Sequence, residues 1–483
     1  MQNLISLLTQ KTKLKKEYIT NILKLLDEGS TIPFIARYRK EMTGGADDEV
    51  LREFETIYIS SKKLLERKEE ISRLIKERAT LTESIKKSIE DADSLRILED
   101  IYRPFKEKKN TRATTAIAQG LTPLANTLQG AKLTAKELQE EAKKFVKGEV
   151  SSITLAIKGA QDILAERYAE LPREREAIRN TMQKFGSLET KATKNFDENG
   201  NFKNLAGKSE KVAYIPSHRY LAIMRAVHEK ELSVKISIDT DRVEQNIRQY
   251  KIPSHASSSK ELLFDAYKDG FKRLLFPSLE REVQNELKEK ADLAAISVFG
   301  KNLSQLLMTP PVTKMVILGV DPAFVSGCKL AVIDENANYL ESAVIYPTEP
   351  KKDYENSKNK VLQLAKKYNI TGVAIGNGTG SRETQEFFAR LNSEEKINLS
   401  YTVVSEAGAS VYSASKLAQD EYPQLDVTIR GAISIAQRLR DPMATLVKID
   451  PKSLGIGQYQ HDVDQQLLEK KLGDVTSDLV NRV

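Results

Sequence analysis

The sequence predicts a multi-domain, mainly α-helical protein with an α/β domain towards its C-terminal end. Its 483 residues exceed what one hydrophobic core ordinarily organises, and this length indicates roughly three domains. Apolar residues recur at intervals of three and four through about the first three hundred positions, which is the spacing of amphipathic helices. After the segment MTPPVTK, apolar runs of strand length replace that spacing.

Composition limits the classes of protein to which the chain can belong. Hydrophobic residues make up 40% and charged residues 30%, enough apolar material for several cores of a soluble protein. The formal net charge is +7, yet 75 basic residues accompany 68 acidic ones, so any positive field must be local. The single cysteine, Cys328, excludes a disulfide framework. No window is apolar enough to span a membrane, and we expect a cytoplasmic protein without a membrane partner.

Within the helical region, one long helix and one linker are readily predicted. An apolar stripe among charges predicts an amphipathic helix in SSKKLLERKEEISRLIKERATL. The stripe consists of Leu64, Leu65, Ile71, Leu74 and Ile75. The polar segment at 191–210 interrupts the helical spacing and is predicted to be a linker. The predicted domains are a helical block at 1–190, a second helical block packing on it at 191–311, an α/β domain at 312–446 and a linker region at 447–483.

The α/β domain is predicted from the order of its strands and helices. Three strand-like runs, MVILGVD, KLAVID and YLESAVIYP, follow each other closely and can pair as an antiparallel meander. Helical and strand-like segments then alternate, with TGVAIG and LSYTVVSE as strands and RGAISIAQRLRD as a late helix. Three antiparallel strands followed by crossover units are the order of a ribonuclease H-like domain.

Three acidic residues in this domain are candidate catalytic residues. Asp321 ends the first strand, Glu406 follows the strand SYTVV directly, and Asp441 ends the late helix. Two-metal phosphodiester chemistry needs several carboxylates that converge from separate elements, because two close divalent cations must be held against their mutual repulsion. The alternative is structural, since loop acids commonly cap helices or pair with arginines such as Arg430, Arg438 or Arg440.

The segment VAIGNGTGSRETQEFF is a second candidate site. A strand ends at Ile375, a turn rich in glycine follows, and a helix begins near Ser381. The free N–H groups at the start of such a helix can hold a phosphate. However, the segment lacks the lysine of a P-loop and the spacing of a dinucleotide fingerprint, and a plain tight turn explains it equally well.

Other polar residues give weaker signals. The four histidines form no metal-binding cluster in the sequence. In IPSHRYLAIMRAVHEKE, Arg219 and Arg225 lie near His218, where they could contact phosphates or anchor an interdomain contact. Cys328 lies in an apolar run and is predicted to be a small buried residue without a nucleophilic role.

Many long motifs along nearly the whole chain resemble the bacterial Tex family of transcription accessory proteins. The motifs that carry the resemblance are STIPFIARYRKEMTGG, IYRPFKEKKNTRATTAIAQGL, YIPSHRYLAIMRA, FKRLLFPSLEREVQNEL, LGVDPAFVSGCKLAV, IGNGTGSRETQEF, VSEAGASVYSASKLAQDEYPQLDVTIRGAISIAQRLRDP and KIDPKSLGIGQYQHDV. The resemblance implies a helical N-terminal region with a helix-turn-helix element and a YqgF domain, which is RuvC-like with a ribonuclease H fold. Helix-hairpin-helix motifs and an OB-fold RNA-binding domain follow in the family, so 447–483 would include the start of a truncated hairpin region.

The resemblance implies binding of RNA, DNA or both during transcription, with RNA polymerase or the elongation machinery as a further partner. The candidate nucleic-acid contacts are Arg37, Arg39, Lys40, Arg219, Arg225, Asn377, Thr379 and Arg382. In YqgF-type domains, Asp321, Glu406 and Asp441 fall at or near the acidic positions of active relatives. Asp321 and Glu406 would be the metal ligands if the domain were active.

Two departures from the family pattern bear on function. The chain ends at LGDVTSDLVNRV, where the family continues into the hairpin motifs and the OB domain that supplies a platform for single strands. The first-strand motif carries Ala323 and Val325 where the family usually has glycine and a basic residue. A valine in place of arginine removes a phosphate-pairing fork.

Three hypotheses follow. The leading one is a nucleic-acid-binding scaffold that needs no cofactor. The second is a nuclease or resolvase that uses Mg²⁺ or Mn²⁺ at the acidic residues. The third is an actin-like ATPase, which the turn residues Ala323, Phe324 and Val325 fit poorly because that class cradles phosphate with glycine and hydroxyl residues.

Overall fold

The computed structural model describes residues 2–78, 80–108, 110–255 and 259–482. The chain forms two compact units. The first comprises Met1–Ile215 and Ala226–Leu287, and the second comprises Pro216–Arg225 and Lys288–Val483.

Helices dominate the chain before the α/β domain, as the apolar spacing predicts. They are α1 Gln2–Thr12, α2 Lys16–Asp27, α3 Ile32–Tyr38, α4 Lys40–Thr43, α5 Asp48–Arg78, α6 Glu83–Asp91, α7 Leu95–Tyr102, α8 Arg112–Ala118, α9 Thr122–Gly130, α10 Ala135–Lys143, α11 Ile153–Glu170, α12 Pro172–Phe185, α13 Ser217–His228, α14 Thr240–Asn246, α15 Lys260–Asp269 and α16 Phe276–Leu307. A 3₁₀ turn lies at Arg103–Phe105, and π turns lie at Ile247–Lys251 and Gly270–Leu275.

The predicted amphipathic helix is α5. Leu64, Ile71 and Ile75 are buried, and Leu65 and Leu74 of the same stripe are half-buried. Asp47 caps its first turn, because the Asp47 carboxylate accepts a hydrogen bond from the Val50 N–H at 2.9 Å.

The expectation of helices throughout the first three hundred residues is wrong at one place. A three-stranded antiparallel sheet is formed by β1 Ser187–Ala192, β2 Ser209–Lys211 and β3 Leu232–Ser237, in the order β2-β1-β3. The sequence carries a strand signal for one of them, because Leu232, Val234 and Ile236 of β3 alternate with polar residues, whereas β2 has only three residues. The predicted linker at 191–210 starts within β1 and runs into β2, and its Phe202 is buried in a small cluster with Leu232.

A buried ionic cluster holds part of the first unit together. Arg175 and Arg179 are 1% and 2% exposed, and both contact Asp100, which is 5% exposed. Glu282 completes the cluster, with oxygens 3.1 Å from Arg175 Nη2 and 2.7 Å from Arg179 Nε. Each guanidinium therefore has two carboxylate partners, which offsets the cost of burying its charge.

The α/β domain in the second unit has the predicted topology. Its strands are β4 Ile317–Asp321, β5 Cys328–Ile333, β6 Tyr339–Ile345, β7 Gly372–Gly376 and β8 Ser400–Val404, in the sheet order β6-β5-β4-β7-β8. The first three pair antiparallel, and β7 and β8 are added in parallel. The prediction of a ribonuclease H-like fold is confirmed.

Helices cover both faces of this sheet. After β6 the chain forms the helices α17 Tyr354–Tyr368, α18 Ser381–Glu395, α19 Ala409–Ser413, α20 Lys416–Glu421, α21 Val427–Arg440, α22 Pro442–Leu446 and, after a 3₁₀ turn at Pro451–Leu454, α23 Gln465–Val480. One core packs α17 and α18 on one face, and a second core packs α21 on the other. A side chain at Gly319 would collide with the Ala432 carbonyl oxygen, so this glycine lets α21 lie close to β4.

Among the helices in the described ranges, none combines the length and the apolar character needed to cross a bilayer.

Candidate functional site

Asp321 is held at the end of the central strand β4, on the sheet face that α21 covers. The four preceding residues of β4 are buried and Asp321 is half-buried. Its partner across the ladder is Lys329 of β5, which is 8% exposed. The Lys329 ammonium donates to the carbonyl oxygens of Ser326 and Gly327, both at 2.9 Å. The turn after Asp321 therefore holds this lysine by its ammonium group.

The glycine-rich turn after β7 is built around the side chain of Glu406. The Gly378 N–H donates to Glu406 Oε1 at 3.0 Å, and the Glu406 N–H donates to Asn377 Oδ1 at 2.9 Å. A side chain at Gly376 or Gly378 would collide with the Glu406 carboxylate. Of the alternatives left open by the sequence, this arrangement favours a tight turn that positions a carboxylate, because one of the N–H groups available for a phosphate is already used.

Asp321 and Glu406 line the same cavity, which has a volume of about 250 Å³. Hydroxyl residues of α19 and α21 complete its polar lining. Burial, together with the smaller effect of the negative charge of Glu406, raises the pKa of Asp321 to about 6, while Lys329 opposes the change. A carboxyl group perturbed by burial and by a specific charged neighbour in a cavity is a common feature of functional sites.

Asp441 does not converge with this pair. Its carboxylate accepts a hydrogen bond from the Ala444 N–H at 3.0 Å and caps α22. Gly431 lies near Asp321 at the other end of α21, and the ten residues that separate Gly431 from Asp441 correspond to about 15 Å of helix. Asp441 is not among the residues that line the cavity shared by Asp321 and Glu406, and its catalytic role stays a prediction.

The positions of α21 that face the acidic pair carry Thr428 and Gly431. A side chain added at Gly431 would lie 3.2 Å from Asp321 Oδ2, so this is where a third carboxylate would have to stand. Within the described ranges, no group of three or more His, Cys, Asp or Glu residues is arranged to hold a metal. Two carboxylates, one of them bonded to Gly378, do not fit the several acidic ligands that two cations require.

The arginines predicted as alternative partners of the acids bond to the backbone instead. Arg430 donates to the Tyr422 carbonyl at 3.1 Å, Arg438 to the Ser405 carbonyl at 2.6 Å and Arg440 to the Glu335 carbonyl at 2.8 Å. Burial lowers the pKa of Arg438 to about 10, and the charge of Glu406 opposes this change.

The predicted nucleic-acid contacts are spread over both units. In the first unit, Arg37 and Lys40 are exposed. The Arg39 guanidinium lies 5.2 Å from the centre of the Phe34 ring and donates to the Tyr38 carbonyl. These residues form a basic corner where α3 meets α4.

The remaining candidates lie in the second unit. Thr379 and Arg382 are exposed, and Arg382 Nε lies 3.4 Å from Glu386, whereas the Asn377 side chain positions Glu406 as described above. Arg219 is half-buried. Arg225 Nη1 lies 3.7 Å from Asp462 Oδ2 within the same unit.

The turn after Asp321 offers little for a phosphate. Ala323 and Phe324 are half-buried, and Val325 is 80% exposed. An exposed valine supplies no donor, which agrees with the poor fit of this turn to an actin-like ATPase. Cys328 is 1% exposed, as predicted for a buried residue.

Comparison with known proteins identifies three consecutive family models along the chain. They are the Tex-like protein N-terminal domain at residues 2–76, the Tex central region-like domain at 134–299 and the Tex protein YqgF-like domain at 315–440. The chain belongs to the Tex family. The YqgF-like match coincides with the α/β domain that carries Asp321 and Glu406.

Individual relatives support the same assignment. The Tex chain is 41% identical over 479 residues to the uncharacterized protein YdcI of Bacillus subtilis, covering 97% of this chain and 66% of YdcI. It is 38% identical over 493 residues to the transcriptional accessory protein Tex of Neisseria gonorrhoeae, covering 100% and 64%. It is 34% identical over 499 residues to the human S1 RNA-binding domain-containing protein 1, covering 100% and 50%. The chain thus spans between half and about two thirds of the length of these relatives.

Sequence reasoning missed several residues that build the site. Lys329 gives no sequence signal, because a lysine inside an apolar strand belongs to no motif. Thr428 and Gly431 have no acidic group, and only the packing of α21 against β4 brings them to the cavity. The glycines at 376 and 378 indicate free backbone N–H groups in the sequence. That they also leave space for the Glu406 side chain cannot be predicted from the local sequence.

Proposed function

We propose that this Tex chain is a nucleic-acid-binding scaffold that acts beside the transcription machinery in the cytoplasm and binds RNA, DNA or both without a cofactor. The observation that carries this proposal is the match to three Tex family models along one chain. The names of two relatives, a transcriptional accessory protein and an S1 RNA-binding domain-containing protein, point in the same direction. RNA polymerase or its elongation factors would be the protein partners.

Basic residues on the surface would supply the affinity. The corner formed by Arg37, Arg39 and Lys40 is the first candidate, together with a helix-turn-helix element in the helical region. Thr379, Arg382, Arg219 and Arg225 would add contacts in the second unit. Each cation that meets a phosphate releases counterions, so binding should weaken steeply with salt.

Fluorescence anisotropy with labelled single-stranded RNA, single-stranded DNA and duplex DNA tests the proposal. We expect binding at low salt and a linear fall of log affinity with log salt. A double Arg37→Glu and Lys40→Glu variant should bind more weakly with a shallower salt slope. Lys24→Glu is the matched control, because Lys24 is an exposed cation on α2. If none of the three probes is retained at low salt, the scaffold proposal is wrong.

A divalent-metal nuclease or resolvase is the second candidate, because Asp321 and Glu406 line one cavity. The available metal ligands do not favour a nuclease, since Thr428 and Gly431 lie where a third carboxylate would be needed. The test incubates the protein with Mg²⁺ or Mn²⁺ and branched DNA, duplex DNA or RNA. Cleavage that Asp321→Asn abolishes would establish the nuclease, whereas cleavage that survives this substitution would point to a contaminant.

A further inference from the structure

A cleft of about 610 Å³ lies in the first unit, between α12 on one side and α14 with the following π turn on the other. Its walls include positions 173 to 185 of α12 and 239 to 251 of the opposite segment. Phe185 follows Arg173 by twelve positions, which corresponds to about 18 Å of helix. A stacked single strand rises about 3.4 Å per nucleotide, so the cleft has room for about five nucleotides along its length.

Two aromatic rings are exposed to solvent at this cleft. Phe185 ends α12, Tyr250 lies in the π turn, and each is 69% exposed. An exposed ring offers a flat apolar face to an unpaired base, and every base can use such a face regardless of its identity.

The side chains that line the cleft carry a net positive charge, because three of them are basic and two are acidic. Glu174 forms an ion pair with Lys251, and Asp239 accepts a hydrogen bond from the Arg242 N–H at 3.0 Å as the cap of α14. Arg173 and Arg242 also line the cleft and are exposed. Among the residues that the structure describes, neither of these two guanidiniums has a carboxylate within ion-pair distance. They are available to phosphates.

A neighbouring cavity extends this surface. It has a volume of about 720 Å³ and is mainly apolar, with Phe105 among its lining residues, and it shares Arg173, Glu174 and Lys251 with the cleft. The Glu174–Lys251 pair thus stands between two adjoining hollows. An extended chain could continue past it from one hollow to the next.

We propose that this cleft binds single-stranded nucleic acid, with bases stacked on Phe185 and Tyr250 and phosphates contacted by Arg173 and Arg242. The inference rests on the proposed nucleic-acid-binding function and adds a location and a preference for single strands. Duplexes are disfavoured because their bases are already stacked and cannot reach the rings. A helical peptide would use the apolar walls but would leave the two arginines without partners.

The test measures anisotropy of fluorescein-labelled oligo(U) and oligo(dT) of about twelve nucleotides and of a duplex of the same length, with the full chain. Phe185→Ala and Tyr250→Ala should each weaken single-strand binding by about 5-fold to 100-fold and leave duplex binding unchanged. Tyr250→Phe should bind like the wild type, because the ring is retained. Arg173→Ala with Arg242→Ala should lower the magnitude of the salt slope by about 1.4 for single strands, since each phosphate contact contributes about 0.7.

Tyr214→Ala is the matched control. Tyr214 is 84% exposed in the same unit and lies outside the residues that line the cleft, so its loss should change nothing. Crosslinking with 4-thiouridine RNA should label peptides that contain Phe185 or Tyr250. If the wild type binds single strands and both ring variants bind them equally well, the proposed role of the cleft is refuted while the scaffold function stands. A loss of binding in Tyr214→Ala as large as in the ring variants would also refute the role of the cleft. If the wild type binds no nucleic acid at all, both proposals fail together.

Discussion

Replacing Asp321 by asparagine should stabilise the α/β domain at neutral pH. The Asp321 carboxyl has a pKa of about 6, compared with an ordinary value of 3.8, because it is buried and lies near the charge of Glu406. A difference of that size corresponds to about 3 kcal/mol. Since the side chain is half-buried, solvent screening reduces the expected gain to about 1–3 kcal/mol.

The sign of the pH dependence follows from the two pKa values. Folding raises the pKa, so the folded state binds the proton more tightly than the unfolded state does. Below about pH 4 both states carry the proton and the carboxyl costs nothing. The cost develops as the pH rises from about 4 to about 6 and is complete above that range. Asparagine stays neutral throughout, so its advantage should be absent near pH 4 and full near pH 8.

Urea unfolding with a chelator present, followed by circular dichroism at about pH 4, 6 and 8, measures this advantage. Hydrogen exchange of the β4 amides assigns the transition to the α/β domain. Glu406→Gln is the companion variant, because glutamine still accepts from the Gly378 N–H but removes the like charge. In that background Asp321→Asn should gain less. An advantage that is equal at pH 4 and pH 8, or that is absent at pH 8, would refute the electrostatic reasoning.

Three further predictions concern other parts of the chain. Thr428→Asp should create a divalent-cation site beside Asp321 and Glu406, seen as Mn²⁺ binding by calorimetry in the variant but not in Thr428→Asn. Asp100→Asn should lower the free energy of unfolding of the first unit by about 3–5 kcal/mol, because it leaves two buried guanidiniums short of negative charge. Denaturant unfolding measures this loss. The control is Glu286→Gln, which should lower the free energy of unfolding by less than about 1 kcal/mol, since the pair of Glu286 with Arg96 is largely exposed. Gly473→Ala, in α23 with open space around the added methyl group, should raise the melting temperature slightly, with a gain of up to about 1 kcal/mol; a lower melting temperature would contradict the described environment.

The sequence predicted the α/β domain well because its signals are local. The strands β4, β5 and β7 are apolar runs with turn residues on both sides, and their order determined the topology. Asp321 and Glu406 could be placed near each other because both follow strands that end at the same edge. Asp441 could not be placed, since the direction in which α21 crosses the sheet is set by packing at Gly319 and Ala432. The sheet β2-β1-β3 was missed because β2 has three residues and no apolar period of its own.

The acidic pair costs free energy at neutral pH, and its surroundings explain why the chain itself does not offset that cost. Lys329 is the cation nearest to Asp321 along the ladder, but its ammonium is held by Ser326 and Gly327, so its effect on the Asp321 pKa is smaller than that of burial. Arg438 lies near Glu406, but its guanidinium donates to the carbonyl oxygen of Ser405. A nuclease would offset the repulsion with two cations, yet the third ligand position carries Thr428 and Gly431. The glycine turn nevertheless keeps space for the Glu406 carboxylate and donates to it. An acid that is held in place beside a single second carboxylate agrees better with a structural or binding role than with two-metal catalysis, and the Thr428→Asp variant examines that distinction directly.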